Sequence, residues 1–179
     1  MTIFDSVNQL RDYLSSQYNE RPIYLTSGGF DPIHVGHIRC IQETVELAIC
    51  KKRHPSLLKG LVVVIVNADS FLIRKKGYAF MPLKERMEIV NSIAGVDFVV
   101  PWETNKDQTV IGAIETIRPN YFTKGGDRIN ASTIPEWQIC KEVRCEIITG
   151  VGAGGKVQSS SDLVKRAKRF GGYNESTKK

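Results

Sequence analysis

The sequence predicts an α/β fold, a doubly wound five-stranded parallel sheet with helices on both faces. Three observations carry that prediction. Short apolar runs alternate with segments of helical periodicity along the whole chain. One run, Leu61-Val62-Val63-Val64-Ile65-Val66, is continuously apolar and β-branched, as a parallel strand buried on both faces requires. Each polar, glycine-bearing motif falls directly after a strand, where sheets of this kind hold their ligands.

The elements follow in order. Phe4, Val7, Leu10 and Leu14 recur at helical spacing, so residues 1–20 read as an N-terminal amphipathic helix. Its polar face is not rich in Lys or Arg, which argues for packing on the domain and against a membrane surface. A first strand is expected at 22–27 and a helix at 36–50 with Ile38, Ile41, Val45 and Ala48 inward. The insert Lys51-Lys52-Arg53-His54-Pro55-Ser56 reads as a solvated loop. The second strand ends at Asn67-Ala68-Asp69, and Ile73-Arg74-Lys75-Lys76-Gly77 reads as a charged loop. A helix over 82–94 and a strand over 96–100, stopped by Pro101, come next. A helix over 109–117 leads to a fourth strand at 121–123. Thr133 and Pro135 open a helix to 143, and Cys145-Glu146-Ile147-Ile148 is the fifth strand. A glycine-rich loop, 150–155, precedes a last helix over 160–170, and 171–179 is a polar tail. The domain proper is thus expected over 21–170, with a Rossmann-like layout.

Composition bounds the function. The 179 residues suffice for one domain with a full core. No apolar run approaches the ~20 residues that span a bilayer, and the first residues lack the basic and apolar stretches of a signal peptide. The four cysteines form no C-x-x-C pair, which fits reduced thiols and a cytoplasmic setting. The net charge of +6 suits a polyphosphate substrate or a nucleic acid. The aromatics Tyr24, Phe98, Tyr121 and Phe122 fall in apolar strands, where they are core residues and not stacking platforms, which disfavours nucleic acid.

The chemistry concentrates in Ser27-Gly28-Gly29-Phe30-Asp31-Pro32-Ile33-His34-Val35-Gly36-His37. Strand, glycine turn and helix start make a phosphate site, because the turn admits an anion and the first-turn N–H groups point at it. His34 and His37, three residues apart, can reach the same phosphate. With three histidines in the chain and no further ligands at metal spacing, no metal site is expected here. Ser159-Ser160-Ser161-Asp162 opens the last helix and reads either as a cap or as a second anion site.

Gly28-Gly29-Phe30-Asp31-Pro32-Ile33-His34-Val35-Gly36-His37 resembles the first signature of the HxGH nucleotidyltransferase superfamily. Ser159-Ser160-Ser161 is similar to its second, with serine in place of two threonines, and Gly29 stands where relatives often carry a larger residue. The stretch Arg118 to Asp127, with Val66-Asn67-Ala68-Asp69 and the order of elements from 22 to 168, resembles bacterial heptose-phosphate adenylyltransferases. Glycerol-phosphate cytidylyltransferases match less well around Lys124. The resemblance implies transfer of a nucleoside monophosphate from an NTP, ATP favoured, to a phosphorylated sugar, with pyrophosphate released. It implies His34, His37 and Lys76 as catalytic residues, with Lys75 not separable from Lys76. Nucleotide contacts would come from Ser27, Gly28, Gly29, Phe30, Asp31, Gly36, Lys75, Arg86, Lys124, Gly126, Asp127, Ser159, Ser160 and Ser161. Magnesium would arrive with the NTP, and a homodimer is expected. The alternatives are a CTP-dependent enzyme acting on glycerol 3-phosphate or another alcohol phosphate, and a nucleotide-binding regulator without chemistry.

Overall fold

The computed structural model describes residues 2–50, 58–104, 109–126, 130–152 and 158–170. The chain runs β1 (Thr2–Ile3), α1 (Val7–Gln17), β2 (Ile23–Gly28), α2 (Val35–Ile49), β3 (Leu61–Asn67), α3 (Asp69–Lys76) and α4 (Leu83–Asn91). It continues through β4 (Phe98–Trp102), α5 (Ile111–Ile117), β5 (Tyr121–Gly125), a 3₁₀ turn (Ala131–Thr133), α6 (Trp137–Glu142), β6 (Glu146–Val151) and α7 (Ser160–Phe170). The strands form one parallel sheet in the order β1-β4-β3-β2-β5-β6.

β3 is the most buried strand, and its alternate residues feed two cores. Val63 and Ile65 join Leu10 and Leu14 of α1, Ile114 and Ile117 of α5 and Phe122 of β5 on one face. Val62, Val64 and Val66 join Ile41 and Val45 of α2 and Met87 and Val90 of α4 on the other. The chain walks from β2 through β3 and β4 in one direction, then from β5 to β6 in the other. The reversal falls between β2 and β5, and a crevice opens at their carboxyl ends.

The sheet has six strands where five are expected. The addition is β1, two residues that pair Thr2 with Phe98 and Ile3 with Val99; so short a segment carries no alternation to read. β4 runs through Pro101 to Trp102 instead of stopping before it. Val99, which points the same way as Pro101, gives its carbonyl to Phe4 N–H at 2.9 Å. Pro101 therefore points past the end of β1, where its missing N–H costs no ladder bond.

A second difference bears on the site. The charged segment expected as a loop is helix α3, opened by Asp69 in its first turn and closed by Gly77 in the left-handed conformation. Lys75 and Lys76 sit on its last turn, where cations meet the negative end of the helix dipole. The helix expected over 133–143 is a 3₁₀ turn followed by the shorter α6. The expected insert at 51–56 and the tail at 171–179 lie outside the described residues. No helix among the described residues is long and apolar enough to cross a membrane.

Candidate active site

The crevice is a cleft of about 340 Å³, walled by the end of β2, the start of α2, the end of β5, the end of β6 and the start of α7. Ser27, Gly28, Phe30, His34, Gly36, His37, Lys124, Gly126, Ser159 and Ser160 all line it. Four segments far apart in sequence thus converge as their positions after strands dictate.

The two histidines are fixed by the backbone they serve. His34 is the N-cap of α2, not part of its first turn, and its Nδ1 accepts from Gly36 N–H at 3.2 Å. His37 Nδ1 accepts from His34 N–H at 3.3 Å, which closes a capping box with imidazoles in the usual places of a hydroxyl and a carboxylate. With both Nδ1 atoms accepting, each neutral ring carries its proton on Nε2 and is free to donate there. The rings stack at 3.8 Å between centroids, and the Phe30 ring meets His37 edge-on at 5.1 Å. A Cβ at residue 36 would lie 3.1 Å from the His34 ring, so glycine is what lets that ring fold back onto the helix start.

The electrostatics keep the pair uncharged. Burial pushes the His37 pKa down to about 3, helped by the adjacent His34 and by Lys76. Burial also lowers that of His34. At neutral pH the site presents two neutral N–H donors beside the amides of a helix start, a receptor for an anionic oxygen and not a proton shuttle.

Three expected contacts, Asp31, Arg86 and Gly29, are placed behind the cleft instead of in it. Asp31 is buried; its carboxylate accepts from Phe80 N–H at 2.8 Å and Met81 N–H at 2.6 Å and pairs with Lys76 Nζ at 2.9 Å. Lys76 also donates to the Asp31 carbonyl at 2.6 Å and lies 4.7 Å over the Tyr78 ring. This latch separates the two lysines. Lys76 is tied to the histidine loop, whereas Lys75 is exposed and rests 5.8 Å from the Phe71 ring, away from the cleft. Phe30, just before the latch, is held at a positive φ of 52°, a conformation that costs a non-glycine residue roughly 1–2 kcal/mol.

Arg86, expected to contact nucleotide, is a buried clamp. It donates to Gly29 O at 2.6 Å, Asn67 O at 2.8 Å and Met81 O at 2.9 Å, and pairs with Asp69 at 2.5 Å. It thereby ties the ends of β2 and β3 and the start of α4 into one floor. Gly29 belongs to that floor too: a Cβ there would meet Leu72 at 2.7 Å, so α3 packs against bare backbone.

On the opposite wall, Lys124 crosses the Phe122 ring at 4.6 Å and pairs with the buried Glu136 at 3.5 Å. Ser160 Oγ donates to Pro32 O at 2.9 Å, joining the last helix to the histidine loop. Ser159 caps α7 through Asp162 N–H, 3.4 Å from its Oγ, and Ser161 lies in the first turn outside the lining. Asp127 falls outside the described residues. Gly125, Val151, Gly152 and Gln158 line the cleft within the segments expected along this rim, whereas the sequence reading missed Thr26 and Cys40. Both had a signal: Thr26 is a hydroxyl in an apolar strand, and Cys40 lies three residues beyond His37 on the same helix face.

The fold and motif have counterparts among known proteins. Residues 25–149 match the model of the cytidylyltransferase-like family. The bifunctional protein HldE of Geotalea uraniireducens (strain Rf4) is 31% identical over 153 residues, covering 80% of this chain and 26% of that protein. HldE of Helicobacter acinonychis (strain Sheeba) is 27% identical over 161 residues, covering 89% and 30%. The chain therefore spans less than a third of the length of these relatives. Two solved structures share the fold, each with a TM-score of 0.58. The lipopolysaccharide core biosynthesis protein from Thermoplasma volcanium GSS1 is 18% identical, covering 73% of this chain and 97% of its own. Pantoate-beta-alanine ligase from Francisella tularensis is 14% identical, covering 96% and 78%. A family match over most of the chain, on a sheet whose crevice holds both histidines of the motif, places this protein in the cytidylyltransferase-like family of nucleotidyltransferases.

Proposed function

We propose that this chain transfers adenylate from ATP to a sugar phosphate, releasing pyrophosphate and forming an ADP-sugar. The observation that carries the reading is the pair of neutral imidazoles that line the cleft at the start of α2, their Nδ1 atoms locked to backbone and their Nε2–H groups left to donate. In the reaction, an oxygen of the acceptor phosphate attacks the α-phosphorus and the bond to the bridging oxygen of pyrophosphate breaks. A phosphate monoester has its second pKa near ~6, so the nucleophile is already anionic and needs no base. What the protein must supply is position and charge stabilisation. His34 and His37 donate to the α-phosphate oxygens as negative charge builds. The N–H groups of the α2 start add their dipole. Lys76, delivered by the Asp31 latch, neutralises the leaving phosphates, and the start of α7 holds the outer ones. Among the described residues no group of three or more His, Cys, Asp or Glu side chains forms a metal seat. In this reading magnesium enters as part of the nucleotide substrate, carried by its phosphates.

ATP is favoured by the likeness of Arg118 to Asp127 to heptose-phosphate adenylyltransferases and by the kinship with HldE proteins. The test is pyrophosphate release with each of ATP, CTP, GTP and UTP against a panel of phosphorylated acceptors that includes heptose 1-phosphate and glycerol 3-phosphate. Release that requires ATP and one sugar phosphate together is the expected result. Release with CTP and an alcohol phosphate would replace the substrates and keep the reaction; binding of nucleotide without release against any acceptor would reduce the protein to a nucleotide-binding regulator.

A further inference from the structure

Outside the cleft, the chain holds two thiols that the transfer reaction does not use. Cys140 sits on α6 and Cys145 just before β6. Helix α6 ends in a Schellman motif. Cys145 N–H donates to Cys140 O at 2.7 Å, Arg144 N–H donates to Lys141 O at 3.2 Å, and Arg144 is left-handed at φ 59°. In this motif the residue two beyond the cap folds back over the third residue before the cap, here Cys145 over Cys140. Both residues are buried and line the same small pocket of about 190 Å³, beside Ala131, Trp137, Lys141 and Ile147. The neighbouring Cys145 holds the Cys140 thiol below its ordinary pKa, while Cys140 and burial push that of Cys145 up, and the Cys145 Sγ itself donates to Glu146 O at 3.8 Å.

We propose that Cys140 and Cys145 form a reactive dithiol that a small disulfide converts reversibly into an intrachain disulfide. The proposal is independent of the transfer reaction. The Cys140 thiolate attacks one sulfur of the reagent; the reagent's S–S bond breaks and a small thiolate leaves. Cys145, losing its proton to solvent, then attacks the Cys140 sulfur of the mixed disulfide and expels the second small thiol. The chain is oxidised by two electrons and the reagent is reduced to two thiols. A helix end that already folds the two residues together through their backbone shortens the search that limits such a closure. The other two cysteines lack this arrangement: Cys50 is exposed at the end of α2, and Cys40 lines the cleft beside Thr26.

The test treats the reduced full chain with 2-hydroxyethyl disulfide, caps free thiols, and maps unreduced tryptic peptides by mass. Trypsin cuts after Lys141 and Arg144, so the expected product is peptide 129–141 joined to 145–156 and two hydrogens lighter than their sum. Dithiothreitol should separate them. A Cys145→Ala chain should stop at a mercaptoethanol adduct on Cys140. Capped thiols at both positions in the treated native chain, or a cross-link from either cysteine to Cys40 or Cys50, would overturn the proposal.

Discussion

His37 is the residue on which the site's chemistry and its stability meet. Its neutral ring lines the cleft and caps the backbone of His34 through Nδ1, so protonation of that nitrogen would cost the protein a cap. Its folded pKa, about 3, lies below the ordinary 6.5. A group depressed in this way contributes stability that is fully present above pH 6.5 and is lost as pH falls toward 3. By pH 5 the loss should reach at most about 2 kcal/mol. Urea denaturation between pH 7.5 and 5 should show wild type losing stability faster than His37→Ala. Parallel curves would mean that the ring is not held neutral. Arg86 is legible only as a charge in the sequence. What satisfies a charge is set by three carbonyls from three elements, which no local pattern records. Arg86→Ala should leave those carbonyls unpaired and cost about 3–5 kcal/mol in the same assay. Arg86→Lys should recover little of it, because an ammonium cannot fork between them. A loss below about 1 kcal/mol would return Arg86 to the surface role that a charged helix residue usually has.

At the scale of elements, the strands were readable because apolar β-branched runs such as Leu61 to Val66 have one physical use. Helix α3 was not, because Arg74-Lys75-Lys76 has the composition of a solvated loop and its helicity rests on burial of Phe71 and on Leu72 packing against Gly29. The consequence is functional: a helix aims Lys76 at Asp31 and turns Lys75 out to solvent. Lys76→Ala should therefore slow transfer by about 10²–10³, while Lys75→Ala should stay within a few-fold of wild type. Equal losses would show that the last turn of α3 unwinds over the substrate as a loop. Helix α1, read from Val7, Leu10 and Leu14, packs into the core shared with α5. Leu14→Ala should accordingly cost about 2–5 kcal/mol, measured by urea unfolding, with the cleft unaffected in the folded fraction. A cost below 1 kcal/mol would make α1 an appendage.

For the whole molecule, doubly wound topology accounts for where the chemistry lies. The walk reverses between β2 and β5, and the polar segments after both strands face each other across the opening. That much follows from the alternation of elements, so the convergence of Gly28 to His37, Lys124 to Gly126 and Ser159 to Ser160 was visible in the sequence. The links between segments were not. Ser160 to Pro32 and Lys124 to Glu136 join groups that only the folded sheet brings together. They make the cleft a closed frame lined by fixed donors.

The most direct test of this account is the single-turnover rate of pyrophosphate release by wild type and by His37→Ala, at saturating nucleotide and acceptor and with folding checked by circular dichroism. The account predicts a folded variant that still binds nucleotide and is slower by about 10²–10³, the usual cost of one transition-state donor. A folded variant that releases pyrophosphate at the wild-type rate would remove the histidine pair from the reaction and contradict the proposed site.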